Sequence, residues 1–341
     1  MKLHWNNLHE IPVLRPACVA WQRVKKALVS ASPSQPAQRH AGEPSDIVFP
    51  PVPLPTVQRI VGRDVRIPLP KPDPSRPLVF SHSGKIGDVV FSLPFCRAVA
   101  ASAGRDRFRF HLKTGTIAEK LRPGGFRERM ILFDTASAGL LRPLLERQPF
   151  VESVSVSDEL PEGALDLDLF RVQGCIPLWG NSLPLYYVPL APWLADPPDL
   201  SAPWLSGGRP VDLGGRTVAL FATERSRRPG FSFSFLEPFR DEILFLGTDA
   251  EHAAFEKAFF PVEHRKIADF ADALDVLSSV RLAIGNQTGF FAMAEALKIP
   301  RLLLVPDRDA NNVPCGGAFQ FLHDTETAKE TFLSFRARFC Q

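Results

Sequence analysis

Paired cysteine spacing is absent from this chain. Its five cysteines stand singly at positions 18, 96, 175, 315 and 340. A disulfide framework or a cysteine-built zinc site needs close, repeated spacing, so neither is expected and a reducing compartment fits. Also missing is any apolar run long enough to cross a bilayer. Residues 1–10 are polar and lack the apolar core of a secretory signal, so a cytoplasmic location is expected. No internal repeat of solenoid length occurs. The GxxxxGK[ST] order of a P-loop is not found around Lys85. The eight histidines are dispersed, with His82 alone near a candidate site, and no metal centre is expected.

What is present is the composition of an ordinary soluble protein. The chain has 341 residues, 45% hydrophobic and 23% charged, enough for two domains with full cores. Its formal charge of +3 hides an asymmetry: residues 1–76 carry eleven Lys/Arg against five Asp/Glu, so the remainder is slightly acidic. A basic leader either attracts anionic lipid or is a solvated tail; nucleic acid is not an expected partner. Residues 32–77 are rich in proline, which fixes φ and removes a donor, and read as an extended arm. Before them, residues 13–30 can form a short helix in which Val19, Trp21, Val24 and Leu28 mingle with Arg23, Lys25 and Lys26. Such a helix either rests on a membrane surface, giving peripheral contact through residues 1–31, or packs on its own protein.

From residue 78 the pattern alternates. Strands are expected at 78–82, 107–113, 129–133, 151–156 and 165–170, with helices at 88–101 and 138–148. Residues 174–215, rich in proline and tryptophan, read as an interdomain connection with acceptor-site loops. Strands follow at 217–221, 242–246, 281–284 and 301–305, and helices at 250–259, 268–278, 290–297 and 325–339. The alternation implies an α/β protein with mostly parallel sheets. The expected domains are an arm at 1–77, a first Rossmann-like domain at 78–205, a second at 206–324, and a last helix at 325–341 able to cross back onto the first.

Two glycine-bearing turns, one per half, each leave an apolar strand and enter a helix. The first is Ser81-His82-Ser83-Gly84-Lys85-Ile86-Gly87-Asp88, the second Gly285-Asn286-Gln287-Thr288-Gly289. Such a turn gathers unpaired N–H groups and the positive end of a helix dipole at one spot, where an anion can sit. Gly84 and Gly87 permit close approaches that side chains block. Asp88 is either a stabiliser of the helix start or a general base for a sugar hydroxyl. Thr288 is either a plain helix cap or, with the N–H groups after it, a holder of phosphate oxygens. Residues 221–228 place Thr223 and Arg225 after the first strand of the second half; this is either a solvated basic loop or a diphosphate site. Glu251 is a helix-start carboxylate or an acceptor for ribose or base. Asp166-Leu167-Asp168 has the Asp-x-Asp form of metal-using glycosyltransferases, but in an alternating strand at least one carboxylate should face solvent, so it is discounted.

The run Ser83-Gly84-Lys85-Ile86-Gly87-Asp88-Val89-Val90-Phe91-Ser92-Leu93-Pro94 resembles the first motif of the heptosyltransferase-like glycosyltransferases, family 9. Pro149-Phe150-Val151-Glu152-Ser153-Val154 looks like that family's Pro-aromatic-x-acidic-x-Val passage. Residues 268–306, with Gly285-Asn286-Gln287-Thr288-Gly289, Ala294-Glu295-Ala296-Leu297 and Ile299-Pro300, make the fullest match. The ordered set, over roughly residues 78–306, is more specific than any single motif. The resemblance implies a GT-B fold, two Rossmann-like domains facing a cleft, with the proline-rich extension as an addition. It implies inverting, metal-independent transfer of a sugar from a nucleotide-sugar donor to a glycan or glycolipid acceptor, with no cofactor. Carried over, Asp88 matches the catalytic base and Gly84, Lys85 and Gly87 the acceptor-side loop. Thr223, Arg225, Glu251, Gln287, Thr288 and Gly289 match donor-binding positions. Two departures stand out: Gln287 replaces the usual aspartate, and Phe290-Phe291-Ala292-Met293 stands where a histidine is usual. They give weight to the alternative of a non-catalytic nucleotide- or glycan-binding protein of the same fold. A sugar-nucleotide epimerase, which would need no acceptor, is the third reading.

Overall fold

The computed structural model of the chain describes residues 68–121, 127–171, 182–223, 228, 230–304 and 313–340. The helix expected at 13–30 and most of the proline-rich arm lie outside them. The arm's last residues belong to the first lobe. Leu69 is buried, its N–H donates to Leu190 O at 2.7 Å, and the Arg105 guanidinium binds the carbonyls of Pro74 and Arg76, each at 2.6 Å.

The first lobe is built on strands β1 (Val79–His82), β2 (Phe108–Lys113), β5 (Val151–Ser157) and β6 (Leu165–Asp166), in the order β5-β2-β1-β6, all parallel. Helices α1 (Ile86–Ser102) and α2 (Thr135–Glu146) connect them. Most of α1 is apolar, and ten of its residues are buried, because a helix hydrophobic all round needs cover on every side. Pro94 lies inside it and has no N–H, so the carbonyl four residues back, that of Val90, loses its helical partner. The indole N–H of Trp204 donates to that carbonyl instead, at 3.1 Å.

Two expectations for this lobe are corrected. The segment expected as a strand at 129–133 is not part of the parallel sheet. It is β4 (Arg127–Ile131), paired antiparallel with β3 (Ile117–Leu121) in a separate two-stranded ribbon. The Arg122-Pro123-Gly124-Gly125 sequence between the strands is a turn signal. The strand expected at 165–170 stops at Asp166, where pairing with β1 ends, and continues as a 3₁₀ turn, Leu167–Arg171. Asp166 causes the stop by accepting the Asp168 N–H at 3.0 Å, the local bond by which aspartate diverts a backbone from a ladder.

The second lobe is a six-stranded parallel sheet. It comprises β7 (Val218–Phe221), β8 (Ile243–Phe245), β9 (Glu263–His264), β10 (Leu282–Asn286), β11 (Arg301–Leu304) and β12 (Phe319–Leu322), in the order β12-β11-β10-β7-β8-β9. The strands β7, β8, β10 and β11 are buried throughout, as a parallel sheet covered on both faces requires. Its helices are α3 (Asp249–Ala258), α4 (Phe270–Ser279), α5 (Gly289–Leu297) and α6 (Thr325–Phe339). The chain runs outward one way from β7 and the other way from β10, so the sheet's switch point lies between those two strands. The last helix packs on this lobe rather than the first. Ala328 and Phe332 sit in a core with Val218 and Leu220, and Arg336 Nε meets Glu242 at 2.8 Å.

The stretch between the lobes is not a free connection. Leu183, Tyr187, Val188 and Leu190 are buried in the first lobe, and the Trp204 N–H donates to Ala296 O of α5 at 2.9 Å. A single apolar core runs from β1 and α1 across to Leu274, Leu277, Phe291 and Met293 of α4 and α5. At its rim Arg147 meets Asp275 at 2.5 Å, and the Gln148 amide bonds both backbone groups of Ser206.

Candidate active site

Each lobe presents the carboxyl ends of its strands at a switch point, the place where open α/β sheets bind ligands. In the first lobe β1 ends at His82, and the Ser83-Gly84-Lys85 turn leads into α1 with Lys85, exposed, at the N-cap. The Gly84 N–H donates to His82 Nδ1 at 2.8 Å. A backbone N–H can only donate, so Nδ1 carries the lone pair and the ring proton sits on Nε2. His82 Nε2–H then donates to the Tyr187 oxygen at 2.8 Å, and the Tyr187 hydroxyl donates to Asp88 O at 2.9 Å. Burial, with the Asp88 charge next, pushes the Tyr187 phenol well up, which keeps it a donor.

Asp88 does not cap its helix. Its Oδ2 accepts from Arg171 Nη2 at 2.7 Å, while Arg171 Nη1 donates to Asp168. Asp168 in turn accepts the Ser83 N–H at 3.0 Å. Asp168 Oδ1 also lies 3.3 Å from His82 Nδ1, but with Nδ1 acting as an acceptor that contact carries no proton. Burial pushes the Asp166 carboxyl up, and the neighbouring Asp168 charge adds to it. Sequence reasoning set Asp166-Leu167-Asp168 aside and did not find Arg171 or Tyr187 as partners of Asp88, or His82 as the partner of Tyr187. The one available signal was an arginine three residues beyond a paired carboxylate.

In the second lobe the switch point opens between Phe221-Ala222-Thr223 and Asn286-Gln287-Thr288. Buried Asn286 bridges the two strand ends: its Oδ1 accepts the Thr223 N–H at 3.1 Å and its Nδ2 donates to Thr223 O at 2.8 Å. Thr223 Oγ1 is buried with no hydrogen-bond partner among the described residues. Thr288 caps α5, accepting the Phe291 N–H at 3.1 Å. This leaves the first-turn N–H groups at Gly289 and Phe290 as those a helix cannot pair internally. Arg225 lies outside the described residues.

A cavity of about 510 Å³ occupies this crevice, within the size range of small-molecule sites. Thr223, Glu251, Thr288 and Gly289 line it, and Gln287 does not. Glu251 is also a helix-start carboxylate: its Oε2 accepts from Thr248 N at 2.9 Å and Thr248 Oγ1 at 3.0 Å in a capping box. Phe221, Phe270 and Phe290 form an aromatic wall, with Phe290 centred 6.3 Å from Phe221 and 5.9 Å from Phe270.

The two glycine turns meet at this cavity. Ile86 of the first lobe closes it, and a methyl group on Gly289 would lie 3.1 Å from Ile86 Cγ2. A methyl on Gly87 would lie 3.9 Å from Thr288 O. Asp88, the residue after Gly87, does not line the cavity.

No protein-family model and no curated protein sequence matches the chain. Solved structures do. The glycosyl transferase of family 9 from Veillonella parvula DSM 2008 matches with a TM-score of 0.50 at 11% identity, over 79% of this chain and 91% of that one. The E. coli ADP-heptose lps heptosyltransferase II gives 0.48 at 12% identity, over 77% and 99%. The E. coli heptosyltransferase WaaC with ADP gives 0.48 at 12%, over 76% and 99%. Identities this low carry the fold and not the chemistry. The chain therefore has the GT-B fold, two nucleotide-fold lobes on a shared cleft, which the Veillonella parvula structure shares.

Proposed function

We propose that the protein is an inverting, metal-independent glycosyltransferase that moves a sugar from a nucleotide-sugar donor to a glycan or glycolipid acceptor. The observation that carries this reading is the meeting of the two turns, with Gly87 and Ile86 of the first lobe against Thr288 and Gly289 of the second. Asp88 is the residue after Gly87, and Thr288 caps a helix whose N-terminus suits a diphosphate. The donor's diphosphate lies at Gly289 and Phe290 with Thr223 beside it, its nucleoside toward Glu251, and its sugar toward Asp88; Arg225, two residues on in the sequence, is the basic residue proposed to neutralise it. The acceptor oxygen attacks C1 as its proton passes to Asp88. The bond from C1 to the diphosphate breaks, and its electron pair leaves on the nucleoside diphosphate. Positive charge and N–H groups aimed at that leaving group supply the largest part of the acceleration.

No described helix is long and apolar enough to cross a membrane. We place this reaction on the cytoplasmic face of a bacterial inner membrane, with residues 1–31 as the segment that would touch it.

The test is nucleoside diphosphate release from a panel of ADP-, UDP- and GDP-sugars over a bacterial lipid extract. Asp88→Asn is expected to lower turnover by about 10²–10⁴-fold, the usual weight of a general base, while donor affinity stays within a factor of about two. Unchanged turnover removes Asp88 from the mechanism. Donor binding without turnover in the unaltered protein would instead make it a non-catalytic binding protein of this fold.

A further inference from the structure

The proposed base is held by one oxygen only. Asp88 Oδ2 is taken by Arg171, whereas Oδ1 has no partner among the described residues, and the side chain keeps 27% of its exposure. Arg171 is itself over-determined. Its other nitrogen is bound by Asp168, its guanidinium carbon lies 4.6 Å above the centre of the Phe170 ring, and Asp168 is tied to the Ser83 N–H of the glycine turn. Burial would lower the Arg171 pKa, but the Asp88 and Asp168 charges raise it on balance.

Gly84 completes the enclosure. A methyl group at that position would collide with Arg171 Nη2 and with the His82 ring, 2.8 Å from its Nδ1. The first glycine of the motif therefore makes room for a guanidinium and does not line the cavity. Gly84, Asp168 and Phe170 come from two separate segments, and all three converge on Arg171.

We infer that Arg171 is the positioning residue of the candidate base: it clamps Asp88 by one oxygen and leaves the other free for the acceptor hydroxyl. This rests on the transferase reading. A charge-assisted bond to a guanidinium locked on its far side fixes the carboxylate's rotation. A displaced reacting group costs up to about 10²-fold in rate. The acceptor proton goes to Oδ1, and Arg171 neither gives nor takes a proton.

The experiment compares Asp88→Asn, Arg171→Gln, Arg171→Lys and Gly84→Ala in the full chain, using whichever panel sugar the unaltered protein turns over. Melting curves verify that each variant folds. Arg171→Gln is expected to lower kcat by about 10–100-fold with the donor KM unchanged. Arg171→Lys, which keeps a cation but not the fork, should recover part of that loss. Gly84→Ala keeps every charge and occupies the guanidinium's space, so it should resemble Arg171→Gln and serves if the latter does not fold. An inactive Asp88→Asn beside a fully active Arg171→Gln or Gly84→Ala overturns the positioning role alone. A loss confined to donor KM overturns it too, by assigning Arg171 to binding. Full turnover in Asp88→Asn removes Asp88 as the base and this inference with it, while the transferase reading stands; no turnover in the unaltered protein overturns both.

Discussion

Thr223 shows how much one side chain can carry. Its backbone is gripped on both sides by Asn286, while its hydroxyl is buried with no partner among the described residues. Leaving a buried hydroxyl unpaired costs about 1–3 kcal/mol, a cost that a phosphate oxygen would relieve. Thr223→Val keeps the shape and removes the hydroxyl. It should leave the melting temperature of the free protein unchanged or higher and weaken nucleoside diphosphate binding by about tenfold, measured by calorimetric titration. Equal affinity in the two proteins would make the hydroxyl a packing detail. The same scale shows what sequence reasoning reached. Asp88, Thr288 and Glu251 stand at helix starts because aspartate, threonine and glutamate favour them, and that preference is legible in order and spacing. Asn286 was legible as part of a turn but not as a bridge, because its partner lies 63 residues away. Arg171 was hidden for the same reason, since it lies 83 residues from Asp88.

Among the elements, α1 couples a motif to a long-range repair. Its Leu-Pro step deprives Val90 of a helical donor, and Trp204, 114 residues on, supplies one from the connection between lobes. Trp204→Phe preserves most of the ring packing and removes the donor, so Val90 O is left buried and unsatisfied. The expected cost is about 1–3 kcal/mol of folding free energy, read from urea denaturation midpoints with an unchanged slope. A loss well below that range would mean the carbonyl finds water. The strand–helix alternation of both lobes was legible, since short apolar strands between longer helices leave strong patterns. The β3–β4 ribbon and the truncated β6 were not. Each depends on a short local signal, a Pro-Gly-Gly sequence between the ribbon's strands and an Asx bond at Asp166, that a search for apolar alternation passes over.

For the whole molecule, the continuous core has a consequence that separate domains would not share. Helix α1 packs on α5 and α2 on α4, and Leu274, Phe291 and Met293 sit in the same apolar cluster as Phe80 and Val89. Inter-domain contacts that are small and polar let lobes unfold apart, whereas a shared dry core couples them. Thermal unfolding should therefore be one calorimetric transition in which probes in the two lobes melt together. Two resolved transitions would show that the interface is weaker than its packing.

The order of hydrophobic strands, helix-start residues and glycine turns was enough to set the α/β class, two Rossmann-like halves and the positions of both turns. These depend on backbone preferences and on periodicity within a few residues, which a linear chain displays directly. The tertiary structure alone decided that the turns touch through Ile86 and Gly289, that Arg171 grips Asp88, and that the last helix stays on the second lobe. Those outcomes depend on which distant surfaces bury one another, a competition among many apolar faces that local order does not encode.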